Sequence, residues 1–146
     1  MRKALFGAGL VIALLASCAT VPPAQQDDRV IEMIDIFNTL PAQEFAEYAG
    51  VPFLFDEQVL YSSSDVTAVL DRAREAGLIV APQIVGSAPA GAAPEGARFD
   101  VGLFYERLPE DARYVVVEST ADVVTLIMGG EVDGLPQLLG IVRGRA

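Results

Sequence analysis

The chain can carry proton chemistry only through oxygen groups. It contains no His, one Cys and no Trp. Without His there is no imidazole base, no Ser-His or Cys-His nucleophile pair and no His-ligated zinc. A single Cys cannot close an intramolecular disulfide or build a Cys cluster. Carboxylates remain as bases and Tyr hydroxyls as donors. Asp56, Asp100, Glu106 and Glu118 are the candidate acids, all on predicted strands, and Tyr48, Tyr61, Tyr105 and Tyr114 the candidate donors. No spacing couples one acid to one Tyr. The ordinary role of each acid is a solvated strand face, and of each Tyr an amphipathic ring at the core edge.

Other clusters are weaker. Glu131 and Asp133 lie in a Gly-rich turn, but two acids without a third at loop spacing do not make a calcium site. Ser62-Ser63-Ser64 reads as a helix-capping run, since no base accompanies it. Arg72 and Arg74 lie two apart on a predicted helix and so point in different directions; with Asp71 and Glu75 they read as an exposed, mixed-charge face. There is no P-loop, no Gly-x-Ser-x-Gly and no internal repeat. No metal and no cofactor is expected.

The elements that must position these residues begin after a leader. Of 146 residues, 52% are hydrophobic, and 10 basic against 20 acidic residues give a formal charge of −10. That balance argues against a protein that neutralises nucleic-acid phosphates. Arg2 and Lys3 precede an apolar run from Ala4 to Ala16. As a helix this run spans about 20 Å, against roughly 30 Å of hydrocarbon, which favours a secretory leader over a resident transmembrane helix. Gly7-x-Gly9 falls inside it and is not a phosphate loop. The run ends in Leu15-Ala16-Ser17-Cys18. This resembles the lipobox of bacterial lipoproteins, a Leu and two small residues before Cys. The resemblance implies that residues 1–17 are a signal peptide, and that Cys18 is the acylated mature N-terminus. The mature chain would then carry 8 Arg, no Lys and 20 acids, a net charge of −12 over 129 residues. Anionic headgroups repel such a domain, so acyl chains must hold it, at roughly 0.8 kcal/mol per buried methylene. Ala19 follows the Cys; by analogy with enterobacterial sorting, the lack of Asp there implies the outer membrane, with the domain facing the periplasm.

Residues 18–28 read as a tether, stiffened by Pro22-Pro23, and residues 27–146 as one domain. Val30, Met33, Ile34 and Phe37 recur at helical spacing, with Asp27 or Asp28 as cap. A second helix follows Pro41, with Phe45 and Tyr48 or Ala49 apolar and Gly50 as its stop. Phe53–Tyr61 reads as paired strands turning at Asp56-Glu57. Ser63 or Ser64 caps a third helix with Val66, Val69, Leu70 and Ala73 as its buried stripe, ending at Gly77. Strands are expected at 78–85, 99–107, 113–119, 122–128 and 137–142, with a mobile loop over 87–97. In the strand 99–107 the odd residues Phe99, Val101, Leu103 and Tyr105 form the apolar face. Val101 and Leu103 would then pack on Phe37, Val69 or Leu70, and Asp100 and Glu106 would point to water.

The fold class is therefore α+β, with N-terminal helices packed on a curved antiparallel sheet. Phe53-Leu54-Phe55-Asp56…Val59, then Ser64-Asp65 and a helix to Gly77, then Val123–Ile127 and Leu139–Arg143, resemble the nuclear transport factor two-like, or cystatin-like cone, superfamily. The usual Trp of the last hairpin is absent. Members use the space between sheet and helices as an enzyme pocket, a binding pocket or a dimer surface, so the resemblance does not choose a function. Isomerase members imply a carboxylate and Tyr in an apolar cone, for which Tyr48, Asp56, Asp100, Tyr105 and Glu118 are the candidate pocket residues. Two readings follow. The first is a non-catalytic, membrane-anchored envelope lipoprotein that binds a protein partner or a small apolar ligand. The second is a lyase- or isomerase-like enzyme. An enclosed carboxylate would favour the second, an apolar cavity the ligand, and a filled cone with a bare sheet face the protein partner.

Overall fold

The computed structural model describes residues 23–120 and 122–144. The leader, Cys18 and the first part of the tether lie outside the described residues. Four helices and six strands follow in the order α1 (Pro23–Thr39), α2 (Ala42–Phe45), a 3-10 turn (Ala46–Tyr48), β1 (Ala49–Phe55), β2 (Gln58–Leu60), α3 (Ser63–Glu75), β3 (Val80–Pro89), α4 (Phe99–Glu106), β4 (Arg113–Ser119), β5 (Val123–Val132) and β6 (Leu135–Arg143). The class is α+β. The strands make one sheet in the order β2-β1-β6-β5-β4-β3. It is mixed rather than antiparallel, because β1 runs parallel to β6; the other four pairings are antiparallel.

The helical stripe of α1 is buried as its spacing predicts: Val30, Met33, Ile34 and Phe37 are all enclosed. The helix opens at Pro23, inside the segment read as tether, so neither Asp27 nor Asp28 is its cap. At its far end the Asn38 side-chain amide donates to the Val80 carbonyl at 2.7 Å and accepts from the Val80 N–H at 3.3 Å, which ties α1 to the start of β3. Gly50 is not a helix stop; it sits in β1, where an added Cβ would lie 2.5 Å from Leu139 Cδ2. The β1–β2 hairpin turns at Asp56-Glu57 as expected. The cap of α3 is Ser62, one residue earlier than expected: its Oγ accepts from the Asp65 N–H at 3.1 Å. Gly77 closes α3 with φ +90°, a conformation that costs a residue with Cβ.

Two cores flank the sheet. In the first, α1, α2 and α3 bury Met33, Phe37, Phe45, Val66 and Leu70 against Phe53, Val115, Val117, Val124, Leu126, Met128 and Ile141. Arg74 crosses this layer: its guanidinium donates to the Phe37 and Leu40 carbonyls and lies over the Phe37 ring at 5.0 Å. Burial lowers its pKa from the usual arginine value, with Asp71 opposing.

The second core lies on the other face, and here the structure overturns an expectation. Residues 99–106 are the helix α4, not a strand. Val101, Phe104 and Tyr105 are buried against Leu54, Val59, Ile127 and Leu139. These three positions are i, i+3 and i+4, so the segment satisfies a helical stripe as well as an alternating one. Leu103 is therefore only half-buried and faces neither Phe37, Val69 nor Leu70, and Phe99 stands 82% exposed. The neighbouring loop is shorter than expected, since Ser87, Ala88 and Pro89 still pair with Val115, Tyr114 and Arg113. Pro89 is tolerated because β3 is an edge strand. The remainder carries Ala93 and Ala97 onto the second core. The Gly-rich turn also shrinks to Asp133-Gly134, because β5 continues to Val132.

Candidate functional site

The first core has a ragged margin at one end of the sheet. Phe55, Val69 and Leu78 pack against the core while remaining partly exposed. They line a cleft of about 630 Å³, a volume in the range of small-molecule sites. One wall is the second half of α3 and its exit, through Val69, Arg72, Ala73, Ala76 and Gly77. The other comprises the β4–β5 turn and the end of β6, through Ser119, Thr120, Asp122, Val123, Val124, Arg143 and Gly144. Phe55 and Gln58 close the hairpin side.

Each wall is fixed locally. Thr120 donates from Oγ1 to the Gly77 carbonyl at 2.7 Å and from its N–H to the Ile79 carbonyl at 3.2 Å, joining the two walls at their base. The final carbonyls of α3 are taken up by the N–H groups of Ala76, Gly77 and Leu78. Arg143 is held by Asp56, whose Oδ1 accepts the Arg143 N–H at 2.9 Å and whose Oδ2 accepts the Nε–H at 2.8 Å and forms an ion pair with a terminal amine at 2.5 Å. Those hydrogen bonds and the adjacent negative charge raise the Arg143 pKa. Asp56 has φ +53°, a left-handed conformation that Asp and Asn tolerate best among residues with a Cβ. Arg72 donates its Nε to the Ala68 carbonyl at 3.1 Å and forms no ion pair among the described residues.

The five candidate pocket residues do not converge. Tyr48 stacks on Phe45 in the first core, with ring centroids 6.3 Å apart. Asp56 and Asp100 are brought to one shallow, open cleft with Arg98 and Arg143. Both candidates are already paired there, Asp56 with Arg143 and Asp100 with Arg98 at 3.1 Å, while Glu57 also lines the cleft. Tyr105 lies in the second core, across the sheet from Tyr48. Burial there raises its pKa, and Tyr114 adds to the shift through its own charge and a hydrogen bond. Glu118 is exposed on β4. Among the described residues Thr125 is the one buried polar side chain, so no carboxylate is enclosed. No three Asp, Glu or Cys residues gather there as metal ligands.

The helical spacing places Val69 and Ala73 in the buried stripe of α3; only Val66 and Leu70 are buried, and Val69 and Ala73 are partly exposed on the cleft wall, a role the sequence reading does not find. Val69, Arg72, Ala73 and Ala76 recur at i, i+3, i+4 and i+7, a second stripe beside the buried Val66 and Leu70. That offset stripe is the available signal; the charges of Arg72 and Arg74 masked it as a solvated face. In comparison with known proteins, the chain matches no family model, no curated protein and no solved structure.

Proposed function

We propose that the protein is a lipid-anchored envelope lipoprotein whose domain binds a small, largely apolar ligand in the cleft between α3 and the β4–β5 turn. The cleft carries this reading: about 630 Å³ walled by Phe55, Val69, Ala73, Leu78 and Val124, with polar groups at its rim. A protein partner on the sheet is less favoured, because α4 and its loop already cover the face opposite the other helices. The lyase- or isomerase-like alternative lacks an enclosed acid among the described residues. The anchor rests on Leu15-Ala16-Ser17-Cys18. No helix among the described residues is long and apolar enough to cross a membrane; the proposed attachment is acylation of Cys18, and the proposed place, from Ala19 where Asp would retain it, is the outer membrane. The cone-superfamily resemblance is supported by α1, α2 and α3 on one face of a single sheet, with a hairpin preceding α3. The helix α4 on the opposite face extends that plan.

The binding reading is tested by methyl NMR of the acylated chain in nanodiscs titrated with indole, a water-soluble apolar probe. The Val69, Leu78 and Val124 methyl signals should shift together and saturate. Ala73→Trp, which fills the cleft, should abolish the response while the melting temperature holds. Shifts scattered over the surface, or none, would sink the reading. The anchor is tested by Cys18→Ala, which should release the protein from membranes; intact mass showing residues 1–17 retained on the wild-type chain would refute it.

A further inference from the structure

We infer that the ligand of this cleft is an anionic amphiphile, a carboxylate on an aliphatic chain, with its head on Arg72 and its tail along Phe55, Val69, Leu78 and Val124. This rests on the binding reading above and adds the head group. Arg29, Arg98 and Arg143 are paired with carboxylates, and Arg74 is taken up by backbone carbonyls; what the cleft needs is a cation on its wall whose terminal amines are not committed. Arg72 is such a residue. Its Nε is spent on the Ala68 carbonyl, which orients the guanidinium and leaves the terminal amines for a ligand. Arg143, on the opposite wall, is fixed by two hydrogen bonds and an ion pair to Asp56 and lies over the Phe55 ring at 6.0 Å, so the apolar floor and the second cation are built as one unit. The charges facing the site from the other elements are few. Asp122, exposed on the β4–β5 turn, is the one acid on the lining. Asp56 neutralises Arg143 rather than Arg72. At the carbonyl end of α3, which would repel an anion, the Arg72, Ala73 and Arg74 carbonyls accept backbone N–H groups, and the Gly77 carbonyl just beyond accepts from Thr120. A free cation at the rim of an apolar trough matches a head and a tail.

The test compares octanoate, 1-octanol and octylammonium on the acylated chain in nanodiscs, with empty nanodiscs as the partition control and the Val69, Leu78 and Val124 methyl signals as readout. Octanoate should bind about threefold to tenfold tighter than octanol, the range an exposed, oriented arginine supplies. Octylammonium should bind weakest. Arg72→Gln should bring octanoate to the level of octanol without changing octanol itself, and Arg72→Lys should restore part of the difference. Equal binding of octanoate and octanol by the wild-type chain would overturn the anionic head while leaving the apolar cleft intact. Tightest binding of octylammonium would overturn it in favour of Asp122. Saturable binding of none of the three would defeat the cleft reading itself.

Discussion

Asp56 does two jobs that separate cleanly by substitution. Its backbone adopts the left-handed turn between β1 and β2, and its carboxylate anchors the last residue of β6. Asp56→Asn keeps the turn preference and one acceptor for the Arg143 N–H. Asp56→Ala keeps neither. Because the Arg143 side chain is largely solvated, the ion pair is screened. Asp56→Ala should cost about 1–2 kcal/mol and Asp56→Asn about half of that, read from urea midpoints. Tyr105 carries the pH signature. Burial raises its folded pKa above the ordinary tyrosine value of about 10. Between the unfolded and folded values the native state holds a proton that the unfolded state has released. Its contribution is therefore complete below about pH 10 and declines as pH rises further. Melting temperatures should fall above that pH, and Tyr105→Phe should remove part of the decline; an identical alkaline decline in both proteins would refute the assignment. Neither residue advertised its role in the sequence. Asp56 partners Arg143 from 87 positions away, and Tyr105 faces Tyr114 only because α4 folds across the sheet.

Among the elements, α4 separates what periodicity reveals from what it hides. In α1 the apolar residues fit a helical period and break an alternating one, so the stripe was legible and is buried as read. In residues 99–106 apolar positions fit both periods, and a Gly at 102 weakens a helical reading further. Tertiary packing on Leu54, Ile127 and Leu139 decides for the helix. The consequence is testable. Phe104→Ala should cost about 3–5 kcal/mol, as a buried aromatic truncation does, and Leu103→Ala distinctly less because Leu103 is half-exposed. A strand with the odd residues inward would give the reverse order. The parallel β1–β6 contact was illegible for a different reason: it joins Ala49 to Leu138 and Leu54 to Gly140, and no local pattern encodes so distant a pairing. Gly140 is its price in side-chain size, since a Cβ there would meet the Leu54 carbonyl oxygen at 2.8 Å. The cleft was hidden likewise. Its walls come from α3, its exit, the β4–β5 turn, the β1–β2 hairpin and the end of β6, and only the α3 stripe is local.

For the whole molecule, the sheet sets the distance between the proposed anchor and the cleft. Arg29, the seventh residue of α1, pairs with Glu131 at 2.9 Å, so the second turn of α1 sits beside the end of β5, with Pro23 about 9 Å further along the helix. The cleft includes Val123 and Val124, at the beginning of that same strand. Ten residues of β5 separate the two ends, about 30 Å along the sheet. With Cys18 acylated, only five residues precede Pro23, a reach of at most about 17 Å. With the proposed anchor, the β5–β6 turn should be the end nearer the bilayer, and the cleft should open away from it, toward the aqueous phase. That near end has a small acidic excess, Asp111, Glu131 and Asp133 against Arg29 and Arg113, with Asp111 accepting the Gly130 N–H and Glu131 paired with Arg29. Anionic headgroups should push it outward, and salt should relieve the repulsion, because the Debye length is about 8 Å near physiological ionic strength. Nitroxides on Asp133→Cys and Thr120→Cys of the acylated chain report both effects, with a nickel-chelating lipid as the relaxing agent. In neutral vesicles relaxation should be strong at 133 and weak at 120. In phosphatidylglycerol vesicles at low salt the signal at 133 should weaken, and added NaCl should restore it. Stronger relaxation at 120 than at 133 would mean that the cleft faces the membrane, and that its ligand enters from the lipid side.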